Sequence, residues 1–238
     1  MEKKYEFTDE TIEYGVDMLH RIRALKDIPN IGVKAGDLGG FIQYESNLSH
    51  DCDCWIFVNA KVYGDAKVYG DAQIYGNAVV GPRSRVHGAA QVYGKAHIFY
   101  SHVCGCAKVY GDADVDYSRI DGAACVYDNA HLSACYVNDH AQVYGNARLL
   151  SGCDVYGNAR IFDNARVAVA QVYDNAHIYG DAQVEGKVCI CGNAQICGDA
   201  QISDYVNPRN LWWWLQILRK KVHKILHQVG LILLPQYF

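Results

Sequence analysis

A six-residue unit repeats along most of this chain and constrains its fold more than any other feature. Residues 60–77 read AKVYGD, AKVYGD and AQIYGN, and the unit continues with substitutions to about Ser203. Each unit carries a large aliphatic residue and a small residue two positions earlier, and such residues point to the same side of a strand. Gly-Asp or Gly-Asn pairs, which tolerate positive φ, turn the chain between units. The repeat therefore predicts a β-solenoid, in which each coil packs against the next.

The spacing of the aliphatic positions carries further information. They are Ile56, Val62, Val68, Ile74, Val80, Val86, Val92, Ile98, Val103, Val109, Val115, Ile120, Val126, Leu132, Val137, Val143, Leu149, Val155, Ile161, Val167, Val172, Ile178, Val184, Ile190, Ile196 and Ile202. Most steps are six residues, but the steps that end at Val103, Ile120, Val137 and Val172 are five. When the positions are assigned to three faces in rotation, all the short steps fall between the third face and the first. This pattern predicts a three-sided prism with one tighter corner, roughly 40 Å long at a strand spacing of ~4.8 Å.

The chain divides into three regions. Residues 1–53 lack the repeat and predict an N-terminal β cap, since the first coil would otherwise expose an apolar end. Within the cap, short strands are expected at Tyr5–Phe7, Ile12–Tyr14 and Leu19–Leu25. Residues 54–203 form the predicted parallel β-helix, and residues 204–238 form a basic C-terminal segment.

The C-terminal segment predicts an amphipathic helix over residues 208–229, begun by Pro208. Apolar residues recur there at helical spacing, namely at Leu211, Leu215, Leu218, Val222, Ile225 and Val229. Consecutive tryptophans cannot all lie on this stripe, since a helix turns by about 100° per residue. The expected contact surface comprises Trp212, Trp213, Trp214, Lys220 and Lys221. Its target stays open between the end of the prism, a partner subunit and an anionic membrane surface.

The composition bounds the partners and the compartment. The formal net charge is −4, which argues against a nucleic-acid partner. Ten cysteines in a chain without an apolar N-terminal signal segment indicate a reducing, cytoplasmic compartment and no disulfide framework. Cys54, Cys135 and Cys153 occupy the small inward position, where we expect them to act as small core residues. Basic residues interrupt the apolar stretch at 211–234, so the sequence predicts no transmembrane helix.

The residue after each aliphatic position faces outward, and on the second face these residues form an aromatic ladder. Its members, in consecutive coils, are Tyr75, Tyr93, Tyr110, Tyr127, Tyr144, Phe162 and Tyr179. Coils ~4.8 Å apart bring the rings into contact. One interpretation is stacking that stiffens the sheet. The other is a binding face for a trimer axis, another protein or a glycan.

The same position on the first face forms a mixed ladder of chemically diverse residues. It comprises Tyr69, His87, Cys104, Asp121, Asn138, Tyr156, Tyr173 and Cys191. His87, Cys104 and Asp121 are thus neighbours across three coils and are the candidate catalytic residues. A cysteine beside a histidine can act as a thiolate nucleophile oriented by a carboxylate, and the same set can bind a soft divalent metal. Solvated polar decoration is the third interpretation; we predict no metal site.

The stretch before the coils resembles a known family. It reads VKAGDLGGF at 33–41, NLS at 47–49 and DCWI at 53–56. Over roughly residues 20–203, the chain resembles a bacterial and phage family of left-handed β-helix proteins labelled hexapeptide-repeat transferases, within the trimeric acyltransferase-like superfamily. The resemblance implies a left-handed coil and a transferase activity. Active members of that superfamily use a histidine at a subunit interface, near a loop that interrupts the coils.

Two functions follow as hypotheses. The first is a non-catalytic scaffold or binding module without a cofactor, which acts through its flat faces and its C-terminal helix. The second is an acyltransferase that binds acyl-CoA in a groove between the subunits of a homo-oligomer, with His87 as the first choice of general base. No inserted loop interrupts the coils between Ile56 and Ile202, which favours the first hypothesis. The family resemblance favours the second.

Overall fold

The protein is an all-β parallel β-solenoid. The computed structural model describes residues 2–204 and 231–233. In this part of the chain, helical structure is limited to two short 3-10 turns, Pro29–Ile31 and Glu45–Asn47, which both precede the coils. No helix of the described residues has the length and apolar character needed to cross a bilayer.

The strands form three sheets, which we call sheets I, II and III. Sheet I contains β1 (Tyr5–Tyr14), β2 (Asp17–Ala24), β3 (Leu38–Ile42), β5 (Lys61–Val62), β8 (Val79–Val80), β11 (His97–Phe99), β14 (Asp114–Asp116), β17 (His131–Ser133), β20 (Arg148–Leu150), β23 (Arg166–Ala168), β26 (Gln183–Glu185) and β29 (Gln201–Ser203). Sheet II contains β4 (Trp55–Ile56), β7 (Gln73–Ile74), β10 (Gln91–Val92), β13 (Lys108–Val109), β16 (Cys125–Val126), β19 (Gln142–Val143), β22 (Arg160–Ile161), β25 (His177–Ile178) and β28 (Gln195–Ile196). Sheet III contains β6 (Lys67–Val68), β9 (Arg85–Val86), β12 (His102–Val103), β15 (Arg119–Ile120), β18 (Tyr136–Val137), β21 (Asp154–Val155), β24 (Gln171–Val172), β27 (Val188–Ile190) and β30 (Leu231–Leu233).

The coil strands visit the three sheets in rotation, as the repeat predicts. Pairing within each sheet is parallel and matches equivalent positions, so Val92 lies between Ile74 and Val109. Each five-residue step runs from sheet I to sheet III, which confirms that the short steps share one corner. Such a step has room for a single turn residue, which adopts positive φ without being glycine. Those residues are Tyr100, Tyr117, Ala134 and Val169, with φ of 50°, 47°, 56° and 59°.

The aliphatic and small positions of all three sheets form one continuous core. The aliphatic positions from Ile56 to Ile196 are at most 5% exposed. The alanines two residues before them, such as Ala60 and Ala107, are fully buried. Cys54 and Cys153 are also fully buried, and Cys135 is 5% exposed, so the prediction that these cysteines are small core residues is confirmed. Hydrophobic burial between coils is therefore the main stabilising contribution.

A column of buried serines supports the tight corner. Ser84, Ser101 and Ser118 replace alanine at the small position of sheet III. The Ser101 hydroxyl accepts a hydrogen bond from the Ser118 N–H at 2.9 Å and donates to the Phe99 carbonyl at 2.6 Å. The Ser118 hydroxyl likewise accepts from the N–H of Cys135 at 3.0 Å. The shortened step leaves these N–H groups without a carbonyl partner, and the serine of the preceding coil satisfies them.

The N-terminal region continues sheet I. Strands β1 and β2 form an antiparallel hairpin, β2 pairs antiparallel with β3, and β3 pairs parallel with β5 of the first coils. The expected break between Tyr5–Phe7 and Ile12–Tyr14 is wrong, because β1 is a single strand with a register shift between Phe7 and Thr11. A bulge of this kind absorbs an irregular stretch without ending the pairing. The expected strand at Leu19–Leu25 corresponds to β2.

Buried polar side chains tie this region to the solenoid. Lys4 is only 1% exposed, and its ammonium donates to the Cys54 carbonyl at 2.8 Å and to the Cys54 thiol at 3.2 Å. The amide of Asn47, fully buried, donates to the carbonyls of Gly64 and Ala66, both at 2.9 Å. Burial of these groups is tolerated because each finds hydrogen-bond partners. Sequence reasoning did not identify either anchor.

The C-terminal predictions fall mostly outside the described residues. The helix expected over 208–229 lies there, and so does its contact surface of Trp212, Trp213, Trp214, Lys220 and Lys221. The described segment Leu231–Leu233 forms β30, which pairs antiparallel with β27. One short piece of the region 204–238 is therefore a strand added to sheet III.

Introducing a charge into the core is expected to unfold the solenoid. Val109 is fully buried, so Val109→Asp loses roughly 1.5–3 kcal/mol of apolar burial. The buried unpaired carboxylate costs several kcal/mol more. Lys108→Asp is the control, because Lys108 is exposed on the same strand. Thermal unfolding followed by circular dichroism measures both, and a wild-type melting curve for Val109→Asp would show that this position faces solvent.

The serine column predicts a smaller but specific effect at the tight corner. Ser101→Ala leaves the N–H of Ser118 buried without its acceptor, which costs about 1–3 kcal/mol of unfolding free energy. Ser133→Ala is the matched control, because the Ser133 hydroxyl forms no hydrogen bond within the described residues. Urea denaturation compares the two variants. Equal stability of both would contradict the role assigned to the column.

Candidate functional site

The aromatic ladder of sheet II is a chemically uniform surface that runs through seven consecutive coils. Neighbouring rings from Tyr75 to Tyr179 are stacked with centroids 4.7–5.0 Å apart and planes inclined by 0–4°. Phe57 contacts Tyr75 edge-on at 6.1 Å and closes the lower end. The parallel in-register pairing of sheet II produces this stack, because each tyrosine follows a paired aliphatic residue. The predicted contact between the rings is confirmed.

The stacking determines which atoms the ladder presents. Both faces of each inner ring are covered by its neighbours, so the half-buried rings show edges and hydroxyls to solvent. Burial raises the pKa of the phenols of Tyr75, Tyr93, Tyr110 and Tyr144, and for Tyr127 burial together with Tyr144 raises the pKa to about 12. The hydroxyls are therefore neutral at pH 7. Between Tyr93 and Phe162, a ligand that stacks on ring faces, as a glycan does, finds no free face, whereas a flat protein surface can pack against the edges.

Polar ladders at the corner beside these rings stiffen the surface. The side-chain amides of Asn129, Asn146 and Asn164 each donate to the residue in the next coil, at 3.1, 3.0 and 2.9 Å, ending at Asp181. Asp128 stands at a positive-φ position that is glycine in other coils, and its carboxylate accepts the N–H of Gly145 at 3.2 Å. Amide ladders of this kind add a hydrogen bond per coil. The aromatic ladder is thus held in a preorganised geometry.

The mixed ladder of sheet III brings the three predicted catalytic residues together in successive coils. His87 stacks on Tyr69, with ring centroids 4.6 Å apart, and meets His102 edge-on at 6.0 Å. Burial lowers the pKa of His87; the Asp121 carboxylate opposes this shift, whereas Arg119 and Arg85 reinforce it. His87 is therefore neutral at pH 7, as a general base must be. No hydrogen bond joins His87 to Cys104 within the described residues.

The surroundings of Cys104 oppose formation of a thiolate. Its side chain is 3% exposed, and burial, together with the hydrogen bond that the thiol donates to Asp121, raises its pKa to about 11. Asp121 in turn accepts from Arg119 Nη2 at 2.5 Å, and this bond lowers the pKa of the carboxyl. The carboxylate thus serves Arg119 and Cys104 instead of orienting His87. The catalytic role of these residues stays a prediction.

The arrangement offers little to a metal ion. Within residues 2–204 and 231–233, no group of three or more His, Cys, Asp or Glu side chains has the proximity that a metal site requires. The carboxylate of Asp121 is bound to Arg119, and the Cys104 thiol is protonated at neutral pH. Metal binding needs a deprotonated thiol and free carboxylate oxygens. The metal interpretation of the mixed ladder therefore gains no support from its geometry.

A third surface was missed by sequence reasoning. A shallow groove lies along the tight corner between sheets I and III, with Tyr117 and Ala134 on one wall and Arg119 on the other. The sequence signal is a break in one column of residues, where Tyr100 and Tyr117 are followed in the next coil by Ala134. This column becomes visible in the sequence only when the turn residues of the five-residue steps are placed one below the other.

The environment of Cys104 makes a prediction about its reactivity. Because only the thiolate is nucleophilic, a thiol whose pKa is raised to about 11 should react slowly with iodoacetamide at pH 8. Cys106, exposed two residues later, is the internal control and should react faster. Time-resolved alkylation followed by peptide mass spectrometry measures both rates. Preferential modification of Cys104 in the folded protein would instead favour a catalytic thiolate.

Comparison with known proteins supports the solenoid and goes no further. A family model described as a YdcK beta solenoid repeat matches residues 170–186. That stretch contains β24, β25 and β26, one strand from each of the three sheets. No curated protein matches the chain. The chain therefore contains a β-solenoid repeat by both sequence and structure.

Proposed function

We propose that this protein is a non-catalytic β-solenoid scaffold or binding module that acts through its flat faces. The observation that carries the proposal is the unbroken stack of rings from Tyr75 to Tyr179 on sheet II. The partner that this surface fits best is a flat protein surface. A second copy of the chain is one such surface, and would make the protein a homo-oligomer.

The energetics of the stack support this assignment. Tyrosine is enriched in protein interfaces because it contributes a large contact area at a low cost in conformational entropy. Here stacking already restricts the rings, so a partner loses little further entropy in ordering them. The five neutral hydroxyls from Tyr75 to Tyr144 add hydrogen-bonding capacity at a spacing of one coil.

Several finer features belong to the same proposal. The three-sided cross-section, the trimer and the cytoplasmic location are retained as predictions, and the left-handed coil is retained as what the family resemblance implies. The basic helix expected over 208–229 would supply a second contact, at the open end of the coils, at a partner subunit or at an anionic membrane surface. Each interpretation gives the tryptophans among Trp212–Trp214 that lie off the apolar stripe a second surface to contact.

The acyltransferase hypothesis is retained as the alternative. It requires acyl-CoA bound in a groove between subunits, with His87 as general base. The neutral state of His87 is compatible with this role, but the protonated Cys104 and the pairing of Asp121 with Arg119 do not assist it. No single geometric feature favours transfer chemistry over binding. Titration of acetyl-CoA into the purified protein by calorimetry tests the alternative, which predicts saturable binding.

The central test adds charge to the aromatic ladder. Tyr110→Glu combined with Tyr127→Glu should lower the oligomeric mass, or abolish capture of the partner, because carboxylates desolvated at an interface repel each other and lose hydration. Light scattering measures the mass, and circular dichroism checks that the fold survives. Both tyrosines are half-buried on the surface, so the core is not changed.

A matched control exists on another face. Tyr156 and Tyr173 form a stacked pair with centroids 4.9 Å apart at the equivalent position of sheet III. Tyr156→Glu with Tyr173→Glu adds the same charge and breaks the same kind of contact, and should leave the mass unchanged. If the wild-type protein is a monomer without a partner, or if both double variants behave alike, the ladder is structural stacking and the proposal fails.

A further inference from the structure

The groove along the tight corner has two chemically different walls. Its volume is about 460 Å³. The turn residues of the corner form one wall, and the outward residues of sheet III form the other. The residues that matter here are Tyr100, Tyr117 and Ala134 on the first wall, and His102, Arg119 and Tyr136 on the second. Buried small residues, including Ser118, lie between the two walls.

The first wall is an interrupted aromatic stack. The guanidinium of Arg83 lies 6.0 Å from the ring centroid of Tyr100, and Tyr100 stacks on Tyr117 at 4.6 Å with planes 9° apart. The equivalent residue in the next coil is Ala134, which offers only a methyl group. Tyr117 therefore has one covered face and one open face, and its side chain is 60% exposed. A planar ring that lies over the Ala134 methyl group, in the same coil as Ala134 and against the open face of Tyr117, would be the next member of the stack.

The aromatic ladder of sheet II shows that such a place accommodates a ring. There, successive rings stack at 4.7–5.0 Å without any break from Tyr75 to Tyr179. The coil spacing of ~4.8 Å is the same at the tight corner. A planar aromatic ring therefore fits the space between the ring of Tyr117 and the coil that follows the coil of Ala134.

The second wall carries positive charge, although the whole chain has a net charge of −4. Arg85 lies directly below His102, which in turn pairs with Arg119. Burial lowers the pKa of His102, and Arg85 and Arg119 contribute in the same direction. Arg85 forms no ion pair with the described residues. A guanidinium has five donors, so Arg119 retains capacity beyond Asp121.

Three acidic residues lie near the groove, namely Asp116, which precedes Tyr117, and Asp121 and Asp154 beside the second wall. Asp121 is neutralised by Arg119, and Asp154 lines the upper end of the second wall, where it accepts from Gln171 at 3.4 Å. Arg83, which lines the groove, and Arg85, below His102, form no ion pair with the described residues, so the lower part of the groove attracts anions. Arg119 and His102 lie one and two coils below the place for the ring beside Ala134, which is roughly 5 and 10 Å along the solenoid.

We propose that this groove binds a small ligand with a planar aromatic ring and an anionic group, the chemistry of a mononucleotide. The ring stacks on the open face of Tyr117 above Ala134, and the anionic group lies toward His102 and Arg119. A base that stacks on an aromatic side chain needs no specific edge contacts, and a guanidinium recognises phosphate or carboxylate equally by geometry. An aromatic carboxylate is the second source of the same chemistry.

Titration of the full-length protein by calorimetry with adenosine 5′-monophosphate and, separately, with 4-hydroxybenzoate tests the proposal. At least one of them should bind saturably with a Kd between about 10 µM and about 1 mM, as suits a shallow groove. The one that binds identifies the source. Adenosine or phosphate alone, or benzene without a carboxylate, should bind about tenfold more weakly or worse, because each lacks one of the two contacts.

Two variants test the geometry from opposite directions. Tyr117→Ala removes the stacking surface, and Ala134→Tyr fills the missing place with a ring from the protein itself. Ala134 has φ of 56°, close to the 47° of Tyr117, so its backbone conformation is one that tyrosine already adopts in the preceding coil. Each variant should weaken binding about tenfold or more.

Val169→Tyr is the control for Ala134→Tyr. Val169 occupies the same column two coils further on, with φ of 59°, and its substitution leaves the open face of Tyr117 unchanged. It should bind the probe as the wild type does. The proposal is overturned if neither probe binds at millimolar concentration, or if Ala134→Tyr keeps wild-type affinity while melting as the wild type does.

Discussion

Backbone hydrogen bonds between successive coils hold every other feature of this solenoid in place. The N–H of Tyr75 donates to the carbonyl of Val92 at 3.0 Å, and the N–H of Tyr93 donates to that of Val109 at 2.9 Å, so each position is stacked on its own equivalent one coil later. Identical or related side chains therefore meet at the strand spacing. Residues that are equivalent in the sequence repeat therefore form columns of stacked side chains that run along the solenoid.

The columns differ in whether they are complete. On sheet II the ring stack is unbroken from Tyr75 to Tyr179. Neighbouring rings therefore cover both faces of each inner ring, and only the ring edges can contact a partner. At the tight corner the stack stops at Ala134 and leaves one face of Tyr117 open. A complete column suits contact with a flat surface, whereas an interrupted column suits a small ligand that takes the missing place. The two proposed binding surfaces follow from this single difference.

The mixed ladder shows that proximity alone does not create a catalytic group. Stacking places His87, Cys104 and Asp121 in neighbouring coils, as the sequence predicts. Burial then raises the pKa of Cys104 to about 11, and Arg119 takes the Asp121 carboxylate. Neither the depth of Cys104 nor the choice of Asp121 between its two neighbours could be deduced from the spacing of the residues. The electrostatic state of a site depends on solvent exposure, which a repeat pattern does not specify.

The sequence by itself determined the solenoid, the rotation of strands over three sheets, the single corner of the short steps and the membership of each ladder. It did so because the period fixes which residues stack, whatever their surroundings. Only the tertiary structure decided that β1 is one bulged strand, that Lys4 and Asn47 are buried anchors, and that the serines of sheet III satisfy the tight corner. It also decided which ring faces are covered and which thiols are protonated. These properties depend on distances across the core and on exclusion of water, and neither is encoded in a local repeat.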